Sequence, residues 1–176
     1  MRQLIGSVLL LAAVGLVPAD LAAQRRVAAR PAARAQRTSF GLQLDWGSTT
    51  DFGIGGRAVF GLQSLFPKTP LDAIVSFDYY FPSSAAAGVS LHFWEINGNV
   101  AYRIPVPPRS SLAPYAGGGL NIAHASASPG GSSTDVDLNL LAGTTFKVRG
   151  SITPFAEFRG VVGNANQVVL TGGVRF

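Results

Sequence analysis

The sequence lacks cysteine altogether and has little charge. Without cysteine among its 176 residues, the chain has no disulfide, no thiol nucleophile and no cysteine-ligated metal. Charged residues make up 13% of the chain, about half of the ~25% usual in soluble domains. Two histidines and nine acidic residues leave few ways to build a catalytic metal site. We therefore expect no metal and no cofactor, and these shortages argue against an ordinary cytosolic enzyme.

Long apolar runs are also missing beyond the N-terminus, although 47% of the residues are hydrophobic. A membrane-spanning helix needs about 20 consecutive apolar residues, so the composition argues against a helical membrane protein. Six of the 14 Lys and Arg residues, but one of the nine acids, precede residue 38. The rest of the chain is neutral, so the net charge of +5 gives little support to nucleic-acid binding. No nucleic-acid partner is expected.

The first 23 residues have the three zones of a secretory signal peptide. Arg2 supplies the positive charge, an apolar run extends from Leu4 to Val17, and small residues up to Ala23 supply a cleavage site. We predict a signal peptide over 1–23, cleaved after Ala19 or Ala23 with Ala23 favoured; an uncleaved anchor is the alternative. Residues 24–38 are rich in Ala and Arg and have no aromatic residue. Such a segment cannot bury enough apolar surface to fold alone, which predicts a disordered basic tail.

From residue 39 onward the apolar residues alternate with a period of two, which is the period of a β-strand. The alternating segments are separated by stretches rich in Gly, Pro, Ser and Asn, which favour turns. Together they predict eight strands, near 39–47, 52–63, 71–81, 90–104, 113–125, 136–148, 153–163 and 167–176. No helical period of useful length appears in this part of the chain.

The predicted strands have one apolar face and one face that carries the charges. In the strand 71–81, for example, Val75 and Phe77 share one face, whereas Asp72 and Asp78 share the other. Eleven charged residues lie on the polar faces of seven strands: Asp45, Arg57, Asp72, Asp78, Glu95, Arg103, Asp137, Lys147, Glu157, Arg159 and Arg175. In a closed barrel they would face each other as a network of charges.

A sheet with such faces can close in two ways. A soluble barrel turns its apolar face inward, whereas a transmembrane barrel places an apolar band against lipid and polar residues in its lumen. The leader, the few charges between strands and the aromatic residues near strand ends favour the membrane form. The aromatic residues form two rims, Trp46, Phe52, Tyr79, Phe81 and Trp94 at one end and Phe60, Tyr102, Phe146 and Phe176 at the other. A soluble periplasmic β-barrel is the alternative.

Several segments resemble a known family. The run from Ala113 to Gly119, then Leu140 to Gly143, Pro154 to Arg159 and Gly173 to Phe176, is similar to the bacterial outer-membrane β-barrel domain family, which includes small OmpA- and OmpX-like barrels. The resemblance covers residues 39–176 and implies an all-β fold, an eight-stranded antiparallel up-and-down transmembrane β-barrel. Membrane insertion requires closure, since an open sheet edge in hydrocarbon leaves backbone groups unpaired. The terminal Phe176 resembles the aromatic signal that the barrel-insertion machinery reads.

The resemblance also implies a location and partners. We expect a monomer in the cell outer membrane, in contact with outer-membrane lipid and lipopolysaccharide, with the insertion machinery as a partner during biogenesis. Both chain ends should be periplasmic, with outer loops near 47–51, 82–89, 126–135 and 163–166. Because these loops are short, a specialised ligand-binding surface is disfavoured. The expected role is structural or envelope-interacting, and a narrow small-solute or ion channel is the alternative.

One pair of residues raises the possibility of an enzyme. His124 and Ser126 lie two residues apart, so they share a strand face. This spacing is similar to that in lipid A deacylase barrels, in which a His and a Ser helped by an acid cleave an acyl ester. The Asn that follows the Ser in that family is Ala127 here, and the nearest acids, Asp135 and Asp137, have the wrong spacing. The sequence therefore predicts no enzymatic activity, with a deacylase-like esterase as a disfavoured alternative.

Overall fold

The computed structural model describes residues 38–83, 89–164 and 166–176. The predicted signal peptide and nearly all of the predicted basic tail lie outside these residues. The described chain forms eight strands and no helix. No helix in the described ranges is therefore long and apolar enough to cross a membrane.

All eight strands follow the predicted alternating segments. Their bounds are β1 Thr38–Gly47, β2 Asp51–Gly61, β3 Leu71–Phe81, β4 Ser90–Arg103, β5 Leu112–Ser128, β6 Ser132–Phe146, β7 Thr153–Val162 and β8 Gln167–Arg175. Each strand pairs antiparallel with the next in sequence, and β1 also pairs with β8. The sheet is thus a closed barrel without a free edge strand, and the predicted fold class is confirmed.

Closure gives the barrel two ends. One end, here called the terminal end, holds the start of β1 and the chain terminus, where Phe40 and Phe176 exchange two backbone hydrogen bonds of 3.1 and 2.9 Å. The opposite end, here called the distal end, holds the turns after β1, β3, β5 and β7. Asp51 opens β2 in the left-handed region with φ 60°. Its carboxylate accepts a 2.9 Å hydrogen bond from the Ser83 backbone, which ties the first two distal turns together.

The sheet has its apolar face outside and its polar face inside, the reverse of a soluble protein. Large apolar side chains such as Phe77 and Leu140 point away from the barrel axis and are exposed. Buried positions are largely polar, and the Asp78, Glu95 and Arg159 side chains are almost wholly shielded. A soluble barrel needs its apolar face inside, so that alternative does not fit the observed faces.

The lumen contains an apolar layer towards the terminal end, formed by Val59, Ile74, Ala101, Tyr115 and Leu141. Aromatic rings in the lumen lie over glycines directly opposite them on the neighbouring strand. A Cβ at Gly143 would lie 2.6 Å from the Tyr115 ring, and one at Gly173 would lie 2.6 Å from the Phe155 ring. The third such pair is Tyr80 and Gly53. These glycines leave the space that the rings fill.

The β5–β6 hairpin extends further than the sequence predicts. The expected loop at 126–135 shortens to the three residues between Ser128 and Ser132, because serine, threonine and alanine continue the antiparallel ladder. Pairing between β6 and β7 begins only at Leu138 and Val162. The hairpin therefore rises above β7 at the distal end.

Candidate functional site

The centre of the lumen is built around the Arg159 guanidinium. Its Nη1 lies 3.3 Å from Asp78 Oδ2 and its Nη2 lies 3.1 Å from Glu95 Oε2. The three side chains come from β7, β3 and β4 and are at most 1% exposed. A buried charge is tolerated when it is paired and hydrogen-bonded, and here one cation serves two carboxylates.

Neutral side chains complete the hydrogen bonding of these carboxylates. Gln43 Nε2 donates to Asp78 Oδ1 at 2.7 Å, and Asn97 Nδ2 donates to Asp78 Oδ2 at 2.9 Å. Gln167 Nε2 donates to the second oxygen of Glu95. Arg159 Nη2 also donates to the Tyr80 hydroxyl at 3.2 Å. The charges are therefore held by a shell of fixed amide and hydroxyl groups.

A second buried ion pair lies nearer the terminal end. Arg57 makes two parallel 3.0 Å hydrogen bonds to the two oxygens of Glu157, a bidentate arrangement that fixes both side chains. The Tyr115 hydroxyl donates to Glu157 at 2.8 Å, and the Arg57 guanidinium lies 4.1 Å from the centre of the Phe155 ring. The side-chain nitrogens of Arg57 and the carboxylate oxygens of Glu157 therefore all have hydrogen-bond partners.

Gln43 joins the two ion-paired groups into one network. Its side-chain oxygen accepts a hydrogen bond from Arg57 Nε, while its nitrogen donates to Asp78. Asp45 lies beside it and accepts a 2.5 Å hydrogen bond from the Thr171 hydroxyl. The network therefore extends across the lumen from β2 and β7 to β3 and β4.

Four asparagines, two on β4 and one each on β5 and β6, extend the network towards β5 and β6. Asn121 and Asn139 both donate to the side-chain oxygen of Asn97, at 2.9 and 2.8 Å, and Asn139 also donates to Asn99 at 3.1 Å. The set of site residues chosen from the sequence omits these amides because it counts charges alone. Their place on the charged face of each strand could have identified them. Asn97, Asn99 and Asn139 each lie an even number of residues from a lumen charge on the same strand, and Asn121 is paired with Asp137 on the neighbouring strand.

The remaining predicted charges lie towards the ends of the lumen. Asp72 pairs with Arg103 at 3.3 Å at the terminal end, where the Arg103 side chain is 48% exposed. Arg175 is half-buried at the same end. Asp137 is buried near the distal end and accepts a 2.6 Å hydrogen bond from the Asn164 backbone.

Lys147 is the one predicted member that the structure places elsewhere. It follows the last residue of β6, Phe146, and is exposed. Its backbone nitrogen donates to Ser111 in the turn between β4 and β5, at 2.7 Å. The alternation of faces assigned it to the lumen, but that rule ends where the strand ends, so its assignment to the network was wrong.

His124 and Ser126 lie on the outer wall, as the alternation predicts. The His124 Nδ1 lies 2.8 Å from the Thr134 hydroxyl, and its ring stacks on Trp94 at 5.0 Å. Asp135 faces Ala123 across the ladder, on the opposite side of the sheet from His124. The partner of the His124 Nδ1 is therefore a hydroxyl rather than an orienting carboxylate.

The second histidine, His92, is a lone rim histidine in the sequence, and its neighbours on the outer wall come from other strands. His92 Nδ1 lies 2.8 Å from the Tyr79 hydroxyl, and His92 is directly opposite Ser126 in the β4–β5 ladder. The residues of this outer-wall patch are Tyr79, His92, Trp94, His124, Ser126 and Thr134. Within the part of the chain that is described, no three His, Asp or Glu side chains are grouped to hold a metal ion.

The chain is similar in structure to three bacterial barrels of known structure. Neisserial surface protein A is 22% identical with a TM-score of 0.55, over 78% of this chain and 94% of that one. The N-terminal β-barrel domain of Pseudomonas aeruginosa OprF is 18% identical with a TM-score of 0.57, over 78% and 96%. Ail, the attachment invasion locus protein of Yersinia pestis, is 16% identical with a TM-score of 0.50, over 79% and 96%. No family model and no curated protein sequence matches the chain.

Proposed function

The chain has the fold of the small eight-stranded outer-membrane β-barrels, and from that premise we propose that it is a non-enzymatic barrel of the bacterial outer membrane with a structural or envelope-interaction role. The observation that carries this proposal is the cross-linked lumen. An eight-stranded barrel is just wide enough for side chains to fill it, and here Arg159 and Arg57 bind carboxylates from opposite walls. The barrel interior thus serves as a polar core.

The outer wall supports the proposed location. Its exposed apolar side chains form a band. Contact of this band with water would be unfavourable, whereas the hydrocarbon of a bilayer would cover it. The full chain, expressed in a Gram-negative host, should fractionate with the outer membrane and show heat-modifiable gel mobility. A product that is soluble without detergent would contradict the membrane location.

Planar-bilayer recording separates the structural role from the alternative, a narrow channel for ions or small solutes. We expect no reproducible unitary currents from the wild-type barrel, because the central charges are tied to fixed partners. Glu95→Ala and Arg159→Ala each remove one of those ties, and both variants should be recorded beside the wild type. Wild-type currents that change in either variant would favour the channel.

The absence of enzymatic activity is also proposed, and the outer-wall contacts support it. A serine nucleophile needs a base that is oriented by a third group and a donor for the oxyanion. The Nδ1 of each histidine is occupied by a hydroxyl, that of Tyr79 for His92 and that of Thr134 for His124. Expression of the chain should leave lipid A mass spectra unchanged. Loss of an acyl chain that Ser126→Ala abolishes would make the protein a membrane hydrolase.

A further inference from the structure

Positive charge is concentrated at one end of the barrel. Apart from Arg57, Arg159 and Arg175, the Lys and Arg residues after residue 38 are exposed at the terminal end, and none occurs in the distal turns 48–50, 82–89, 129–131 and 163–166. We define the basic rim as the exposed residues Lys68, Arg103, Arg109, Lys147 and Arg149. Asp72, which pairs with Arg103, is the acid at this end. The rim therefore keeps most of its positive charge.

Backbone contacts make the basic rim continuous over neighbouring turns. Arg103 donates its backbone N–H to Pro70 at 2.9 Å, which brings it beside the turn that holds Lys68. Lys147 donates to Ser111 at 2.7 Å, which brings the end of β6 beside the turn that holds Arg109. Arg149 follows two residues after Lys147. The rim thus follows the barrel from the β2–β3 turn to the β6–β7 turn.

Exposed apolar side chains lie next to the cations in sequence. Tyr102 precedes Arg103, and Phe146 and Val148 flank Lys147. One residue of a strand rises about 3.3 Å, so Arg103 and Lys147 lie within a few ångströms of the apolar wall along the barrel axis. Aromatic and aliphatic groups beside cations are typical of a membrane interface, where the charge reaches the headgroup region.

We propose that the basic rim binds the phosphodiester headgroups of anionic phospholipids in the leaflet that borders the terminal end; this rests on the proposed membrane location. The rim is continuous with the lipid-facing wall, so the headgroup plane passes through it. A Lys or Arg near an anionic membrane surface is attracted to it, and the attraction falls off within a Debye length. A soluble acidic polymer could bind the cations but would leave the adjoining apolar side chains uncovered, so an anionic lipid fits the rim better.

Electron paramagnetic resonance of spin-labelled lipids tests the proposal. The full chain is reconstituted in phosphatidylcholine bilayers with spin-labelled phosphatidylglycerol or spin-labelled phosphatidylcholine, and the motionally restricted fraction of each is measured. We expect the barrel to prefer phosphatidylglycerol at least about threefold at low salt, and the preference to approach one at roughly 0.5 M salt. The triple variant Arg109→Gln, Lys147→Gln, Arg149→Gln should lose most of the preference.

A matched variant at the distal end separates local binding from net charge. Asp51→Asn with Asp135→Asn makes the chain more positive without changing the basic rim, so the preference should stay at the wild-type value. Equal association of the two lipids, or a preference that survives the triple substitution, would overturn the proposal. Co-sedimentation with peptidoglycan that the triple variant loses, without lipid preference, would overturn it in favour of a cell-wall polymer. A chain that does not insert into the bilayer contradicts the proposed function itself.

Discussion

Leu140 and Leu141 are neighbours on β6 with the same side chain, yet Leu140 is 64% exposed on the outer wall and Leu141 is 4% exposed in the lumen. The apolar side chains of the outer wall are stabilised when an apolar environment covers them, and they make few specific contacts. The lumen is stabilised by directional hydrogen bonds and close contacts between named partners. The comparison teaches that a substitution should be judged by the face it occupies more than by the residue it changes.

The largest expected effect is the loss of the central cation. Arg159→Ala leaves Asp78 and Glu95 buried without their cation, which should cost about 3–5 kcal/mol of unfolding free energy. Arg103→Ala is the matched control, because its ion pair with Asp72 is partly exposed and should be worth less than about 1 kcal/mol. Urea unfolding in lipid vesicles, followed by tryptophan fluorescence, measures both. Equal costs for the two variants would mean that burial does not set the strength of these pairs.

A charge on the outer wall should have the next largest effect. Given the proposed membrane location, Leu140→Arg places a cation near the middle of β6 on the outer wall, which should cost about 2–4 kcal/mol. Val136→Arg lies on the same face and strand but closer to the distal end, where the expected cost is about 0–1 kcal/mol. The same unfolding assay in vesicles compares the two. A cost that does not depend on depth would argue against an apolar environment around this wall.

Added bulk should have a smaller effect that again depends on the face. A Cβ at Gly119 would lie 2.0 Å from the backbone oxygen of Gly98 and 2.6 Å from Asn99 Cα, so Gly119→Ala should cost about 1–3 kcal/mol. A Cβ at Gly98, on the outer wall, meets nothing within 4 Å. Gly98→Ala should therefore be neutral or stabilise the barrel by up to about 1 kcal/mol. Chemical unfolding midpoints of the two variants check this, and a lower midpoint for Gly98→Ala would refute it.

Alternation along the chain carried most of the fold prediction. It located eight strands because apolar and polar residues alternate from Phe40 to Phe176, and closure followed from the even number and the apolar wall. The resemblance to small outer-membrane barrels is confirmed at the level of fold. The β5–β6 turn was misjudged because Ser and Thr are compatible with both turns and strands.

The partners within the lumen could not be predicted in the same way. Alternation states which face a side chain occupies, but not its height along the barrel axis relative to a residue on a distant strand. Arg159 meets Asp78 and Glu95, which are 81 and 64 residues away in sequence. That meeting depends on the tilt and stagger of the closed sheet, and on Gln43 and Asn97, which carry no charge. Lys147 shows a second limit of alternation. A residue can be assigned to a face only within a strand, and β6 ends one residue before Lys147.

The aromatic rings that lie over glycines have a consequence for how the barrel assembles. A one-residue slip between paired strands would send lumen side chains to the wall, but a two-residue slip keeps every face correct. In that slip Tyr115 would meet Leu141 or Thr145 in place of Gly143, and neither leaves room for the ring. The same slip in the β7–β8 hairpin would bring Phe155 opposite Thr171 or Arg175 in place of Gly173. In the β2–β3 hairpin, by contrast, one direction of slip would bring Tyr80 opposite a second glycine, Gly55. Two hairpins thus each carry an independent steric check on alignment, which favours the native register over a two-residue slip.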